Sequence, residues 1–290
     1  MTDRRMLLVH AHPDDETIGT GAMMARYAAE GSGVTLVTCT LGEEGEVVVP
    51  DLAHLAVGAQ DRLGEHRITE LTAACEALGV PDHRFLGGAG TFRDSGMTGE
   101  STNDNPECFW QADLDVAVGA LVAVIREVRP QVVITYDDNG GYGHPDHIQA
   151  HRVTVAAFDA AGHPSLFPDA GAPWQPSKLY YTAVPISVLQ RGFEHMKAAN
   201  SSFFEGIESA EGLPFGTPDE LVTTCIDSRQ FVDQKMAAMR AHRSQIAADG
   251  VFFSLPAEMT AGSWGVEYLI LARGQQGAAR DADGHECDLF

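Results

Sequence analysis

The chain has 290 residues, 44% hydrophobic and 21% charged, the composition of an ordinary soluble globular protein. Its 19 Lys plus Arg face 41 Asp plus Glu, a formal charge of −22, and such a surface repels nucleic acid and anionic membranes. No apolar run approaches the roughly 18 residues of a membrane span, Asp3-Arg4-Arg5 leads into a run too short for a signal peptide, and five cysteines without a C-x-x-C pair point to free thiols in a reducing cytoplasm.

Met6 to Val9 reads as a first strand, and it runs into His10-Ala11-His12-Pro13-Asp14-Asp15-Glu16. Thr17 to Glu30 follows with helical apolar spacing. Val34 to Thr40 is a β-branched second strand, and Leu41 to Glu46 opens a loop. Leu63 to Leu78 is helical, stopped by Gly79 and Pro81, and Arg84 to Leu86 is a short third strand. Gly87 to Gln111 reads as a long loop of the kind that carries function. Asp113 to Arg129 is an amphipathic helix with Asp113 as its N-cap and Pro130 as its stop. Val132 to Tyr136 is a buried strand, then comes Asp137 to His147, and Ile148 to Ala161 is helical. This β-α-β-α-β-α-β-α order predicts an α/β fold: a Rossmann-like, mostly parallel sheet with helices on both faces.

Past residue 162 the pattern loosens. Gly162 to Ser177 carries four prolines. Strands are expected at Lys178–Ala183, Leu221–Ile226 and Val266–Leu271, helices at Val188–Ala199 and Phe231–Ile246, a loop at Phe204–Pro218, and a disordered tail from Gly274. Residues 1–170 are therefore expected to form the Rossmann-like catalytic domain, and 171–290 a smaller α/β part shaping the substrate rim.

The chemistry concentrates at two strand ends. His12 and Asp15, three apart across a strand-to-helix turn, can point at one ion, while Asp14 between them points elsewhere, free to handle a proton. Helix capping accounts for one Asp, not for two His and two Asp in six residues. The second motif, Asn139-Gly140-Gly141-Tyr142-Gly143-His144-Pro145-Asp146-His147, also follows a buried strand and precedes a helix. Strand ends distant in sequence meet at the switch point of a doubly wound sheet. The inference is one site holding His12, Asp15 and one histidine of the second motif. Two His and one carboxylate with an open position suit catalytic zinc or ferrous iron. Rival patterns are weaker: Gly19-Thr20-Gly21 lacks the third glycine of a dinucleotide fingerprint, His242 reads as structural, and His285 and Cys287 read as solvated.

His12-Pro13-Asp14-Asp15 and His144-Pro145-Asp146-His147 together resemble the LmbE/PIG-L family of metal-dependent de-N-acetylases. Val9 to Glu16, Thr38 to Val47, Leu86 to Gly90, Arg93 to Met97 and Asn139 to His147 resemble its mycothiol-pathway branch. The resemblance implies zinc on His12, Asp15 and His147, with Asp14 as general base and Tyr142 as oxyanion donor. It implies His144, oriented by Asp146, as charge stabiliser or acid. Glu46, Arg67 and Asp94 match substrate-contacting positions, although Arg67 alone would read equally as a helix-surface charge. The implied substrate is a small N-acetylated amino sugar glycoside, with no nucleic acid or membrane partner and no oligomeric state legible. Two activities share this site in the branch, deacetylation of an N-acetyl-glucosaminyl-inositol glycoside and cleavage of mycothiol S-conjugates. The length of the Thr17–Gly21 turn resembles the deacetylases. A binding module with a purely structural metal is disfavoured, because closed structural zinc sites normally take four protein ligands.

Overall fold

The computed structural model of the chain describes residues 3–198, 213, 215–254 and 257–290. In β1 (Arg5–His10), strand alternation sends Met6 and Leu8 to one face and Leu7 and Val9 to the other, and none of the four is exposed. A strand buried on both sides needs a helical layer on each face, and the following elements supply them. They are α1 (Asp15–Ala29), β2 (Gly33–Thr38), α2 (Leu63–Leu78), β3 (Asp82–Phe85), α3 (Leu114–Val128), β4 (Val132–Thr135), the single turn α4 (Gly140–Gly143) and α5 (Pro145–Ala161). Then come β5 (Lys178–Ala183), α6 (Ile186–Ala198), β6 (Thr224–Asp227), α7 (Val232–Ala241), α8 (Ala257–Trp264) and β7 (Val266–Arg273).

The strands form one sheet in the order β3-β2-β1-β4-β5-β7-β6. β3, β2, β1, β4 and β5 are parallel, and β7 runs antiparallel between β5 and β6. Met6, Leu8, Leu36 and Ile134 pack under α1 and α2 through Met23, Met24, Tyr27, Leu71 and Leu78, with Ala238 of α7. Leu7, Val9, Val37 and Val133 pack on the other face against Leu121 and Ile125 of α3 and Val153 and Ala157 of α5. The order reverses between β1 and β4, so a crevice opens at their carboxyl ends, where both sequence motifs emerge.

The local signals act where they stand. Asp113 caps α3 by accepting from Asp115 N at 2.9 Å and Val116 N at 3.3 Å, worth about 1 kcal/mol. Gly79 ends α2 with φ 71°. The C-terminal part from residue 171 extends the same sheet and returns α7 to pack against α1 and α2. All five cysteines are free.

Four expectations shift. α5 starts at Pro145, not Ile148, because His144 accepts Asp146 N–H as N-cap and proline suits the first turn. The strand expected at Leu221–Ile226 is Thr224–Asp227, and the helix expected to reach Ile246 ends at Ala241. The tail from Gly274 is ordered rather than disordered. Its Glu286 is fully buried and accepts from Lys178 Nζ at 2.7 Å, Tyr180 Oη at 2.6 Å and Thr224 Oγ1 at 3.1 Å, and Leu289 is buried in the core. Polar composition alone hid this, because a buried carboxylate with four donors, Gly277 N–H being the fourth, holds a tail as firmly as apolar contact does. Residue 199 and most of the loop expected at 204–218 lie outside the described residues.

Candidate active site

The first motif leaves β1 and reverses sharply into α1. His12 N–H donates to Asp15 Oδ2 at 2.9 Å, which closes the turn. The turn is possible only because Asp14 adopts φ 116°, ψ −33°, a region L-residues avoid at a cost of about 1–3 kcal/mol. The second motif solves the same problem with glycine. Gly140 has φ 63°, and a Cβ there would lie 2.5 Å from His147 Cβ and 2.8 Å from Ile148 N.

The two turns bring their ligand-type residues together. Asp15 Oδ2 lies 3.3 Å from His12 Nδ1 and 3.3 Å from His147 Nε2. His147 Nδ1 lies 3.1 Å from Gly140 O, so that nitrogen carries the proton and Nε2 keeps its lone pair. His147 Nε2 is buried with no hydrogen-bond partner. On His12, Nε2 faces Asp146 Oδ2 at 3.2 Å and Asp94 Oδ1 at 3.5 Å, which leaves Nδ1 as the free electron pair. Two nitrogen lone pairs and one carboxylate oxygen are a donor set that fits a divalent cation, and carboxylates behind His12 are the usual support for such a ligand. The electrostatics agree. Burial works against a charged His12, yet Asp94, Asp146 and Asp15 raise its pKa well above the ordinary histidine value. Burial likewise opposes a charged Asp15, and His147 and His12 hold it well below the carboxylate range. The pocket is built for positive charge.

His144 also lies within ligand distance of His12 and His147. Its Nδ1, however, accepts Asp146 N–H at 3.1 Å, so a neutral His144 carries its proton on Nε2 and is a donor. Burial, with His12 and His147 nearby, pushes its pKa down to about 3 and keeps it neutral. The carboxylate of Asp146 turns away from His144. It faces His12 and accepts from Ser95 N at 2.9 Å and from Ser95 Oγ. The expected orienting of His144 thus comes from the Asp146 backbone, because the N-cap geometry of α5 brings that amide to the ring.

Asp14 is half-buried beside Arg67, whose Nη2 lies 3.3 Å from Asp14 Oδ2. Burial pushes the Asp14 carboxyl up to about 6, with Arg67 pulling it back. Tyr142 is 42% exposed at the mouth, its ring 5.0 Å from that of His147 and 6.2 Å from that of His144. Of the three expected substrate contacts only Glu46 is exposed. Arg67 is 3% exposed, so it is no surface charge. Its Nη1 donates to Gly42 O at 2.8 Å and its Nη2 to Pro13 O. Asp94 is 4% exposed and accepts from Gly96 N at 2.9 Å and Glu44 N at 3.2 Å, tying the 41–48 loop to the site wall.

Sequence reasoning missed three supports. Tyr136 stacks on His147 with ring centroids 4.2 Å apart at 19°, and its Oη accepts Ala11 N–H at 2.9 Å. Ser95 holds Asp146, and its position beside Asp94 in the long loop was the available signal. Glu16, the last residue of the first motif, pairs with His242, read from sequence as merely structural.

The family described as PIG-L, GlcNAc-PI de-N-acetylase, matches residues 7–158, which carry both motifs. A protein of Geodermatophilus obscurus named 1D-myo-inositol 2-acetamido-2-deoxy-alpha-D-glucopyranoside deacetylase is 58% identical over 288 residues, covering 99% of this chain and 97% of that protein. One of the same name from Thermobifida fusca is 57% identical over 290 residues and covers 100% of both chains. Among solved structures, the N,N'-diacetylchitobiose deacetylase from Pyrococcus horikoshii superposes with a TM-score of 0.63 at 18% identity, covering 94% of this chain and 85% of that one. Matched across both strand-end motifs and, against its relatives, over its whole length, the chain belongs to the PIG-L family of de-N-acetylases.

Proposed function

We propose that the chain hydrolyses the acetamide of 1D-myo-inositol 2-acetamido-2-deoxy-alpha-D-glucopyranoside, releasing acetate and the free amino sugar glycoside, as a step of mycothiol biosynthesis. The observation that carries this reading is 57% identity over the full length of both chains to a relative named for that reaction. The site geometry supports the chemistry. A divalent ion held by His12, Asp15 and His147, zinc by ligand type with ferrous iron as the alternative, would supply Lewis acidity toward the amide carbonyl and lower the pKa of water.

The chain's own residues handle the protons. Asp14, unused by the ligand set and beside Arg67, takes a proton from the attacking water as the oxygen–carbon bond forms. The amide oxygen gains negative charge, and Tyr142 Oη and His144 Nε2–H are the donors available to it. The carbon–nitrogen bond then breaks, and the amine leaves with the proton Asp14 holds. His144 acts here as a neutral donor rather than an imidazolium. Glu46, exposed on the loop, suits a sugar hydroxyl, while Arg67 and Asp94 shape the wall and offer only their edges.

The test is a ratio of kcat/KM for the inositol glycoside and for a mycothiol S-conjugate, measured on one metal-saturated preparation. The glycoside should win. A tenfold preference for the S-conjugate, about 1.4 kcal/mol of transition-state energy, makes the protein an amidase instead.

A further inference from the structure

The strained backbone of Asp14 needs something to hold it, and the atoms that do so come from three parts of the chain. Asp14 N–H donates to Glu16 Oε2 at 2.9 Å. The carbonyl before it, Pro13 O, accepts from Arg67 Nη2 of α2. Glu16 Oε1 in turn pairs with His242 Nε2 at 2.7 Å, just past the end of α7. Glu16 and His242 are both 0% exposed.

The segment carrying His242 is itself pinned. Ser244 N and Oγ donate to Glu70 of α2 at 2.8 and 2.6 Å, and Ser244 O accepts Val48 N–H at 2.9 Å from the 41–48 loop. His242 Nδ1 is buried without a hydrogen-bond partner. A buried ion pair adds little stability over an apolar replacement of similar volume, so fold stability alone is a weak reason for this one.

We infer that Glu16 and His242 are positioning residues for the reaction: together they lock the left-handed backbone of Asp14 and so aim its carboxylate at the reacting water. This rests on the reading of Asp14 as the proton carrier. The Glu16 carboxylate serves three donors, Asp14 N–H, His242 Nε2–H and Thr17 Oγ1–H, and a glutamine at position 16 offers them a single oxygen, so Glu16→Gln loosens this arrangement without opening a hole.

The experiment is a double-mutant cycle. Glu16→Gln, His242→Ala and His242→Gln are each made with Asp14 intact and with Asp14→Asn, and kcat, KM, bound metal and melting temperature are measured for every protein. With Asp14 present, Glu16→Gln and His242→Ala should lower kcat on the order of 10²-fold, the cost of a misplaced catalytic group, with KM and metal content unchanged. His242→Gln, which keeps a donor to Glu16, should recover most of that loss and remains informative if His242→Ala does not fold. On the Asp14→Asn background the same changes should cost less than about twofold, because they act through a carboxylate no longer there. Equal factors on both backgrounds overturn the inference while leaving the role of Asp14 intact. So does a lowered melting temperature with kcat per metal-loaded site unchanged, or a loss of metal in place of kcat. An Asp14→Asn enzyme with wild-type turnover ends the reading of Asp14 and this inference with it.

Discussion

The two turns that build the site reach similar ends by opposite means. Asp137 to His147 spends glycines: Gly140, Gly141 and Gly143 take φ of 63°, 77° and 92° at little steric cost, and the helix that follows then carries His147. His12 to Glu16 cannot do this at position 14 on the proposed reading, because the residue that sits in the left-handed region is also the one proposed to carry the proton. It keeps a side chain there and recruits Glu16, Arg67 and His242 to hold the backbone. A turn made of glycine is self-sufficient, whereas a turn that puts a functional side chain at positive φ depends on distant elements.

The largest effect should come from the carboxylate itself. Asp14→Asn is expected to keep its metal and lose kcat on the order of 10²–10⁴-fold, the range for a positioned acid or base. Stopped-assay turnover beside metal analysis checks it, and near wild-type turnover would remove the reason for the strained turn. His147→Ala strikes the glycine-built turn. It removes a buried, unpartnered nitrogen 3.3 Å from Asp15, so metal affinity should collapse while the fold persists. Tight stoichiometric binding by that variant would contradict the ligand assignment.

Backbone variants sharpen the contrast. Gly140→Ala and Gly141→Ala both place a Cβ at positive φ, which costs about 1–2 kcal/mol, but only Gly140 has His147 and Ile148 in the way. Gly140→Ala should therefore lose more stability, and metal affinity with it, than Gly141→Ala in parallel denaturation curves. The smallest effect isolates the strain at position 14. Asp14→Gly and Asp14→Ala both remove the carboxylate, so their difference reports the backbone, and the glycine variant should be more stable by about 1–2 kcal/mol. Equal stabilities would mean that the Asp14 backbone carries no strain.

Much of this was legible in the sequence because the signals are local. Alternation in Met6–Val9, the Gly79 and Pro130 stops and the Asp113 cap depend on residues within a turn of one another, and the elements they bound formed within a few residues of their expected places, whereas the helix Ala257–Trp264 was not foreseen. The two motifs were legible too, since the carboxyl end of a parallel strand is a site defined by topology. Arg67 and Asp94 were harder to place. A charged residue on a helix or loop reads as exposed until the loop folded over it is known, and here Gly42, Pro13 and Glu44 cover them.

By itself the sequence determined the strand-helix order, the paired motifs and the residue types offered to a cation, since periodicity and turn chemistry act over a few residues. Only the tertiary structure decided which atoms of those residues face one another. Asp146 turned its carboxylate to His12 and its amide to His144, Glu286 anchored a polar tail, and His242 met Glu16 across 226 residues of chain. The physical reason is that a buried polar group must find a partner, and that partner is set by the three-dimensional packing of the sheet and its helices, on which spacing along the chain has no bearing.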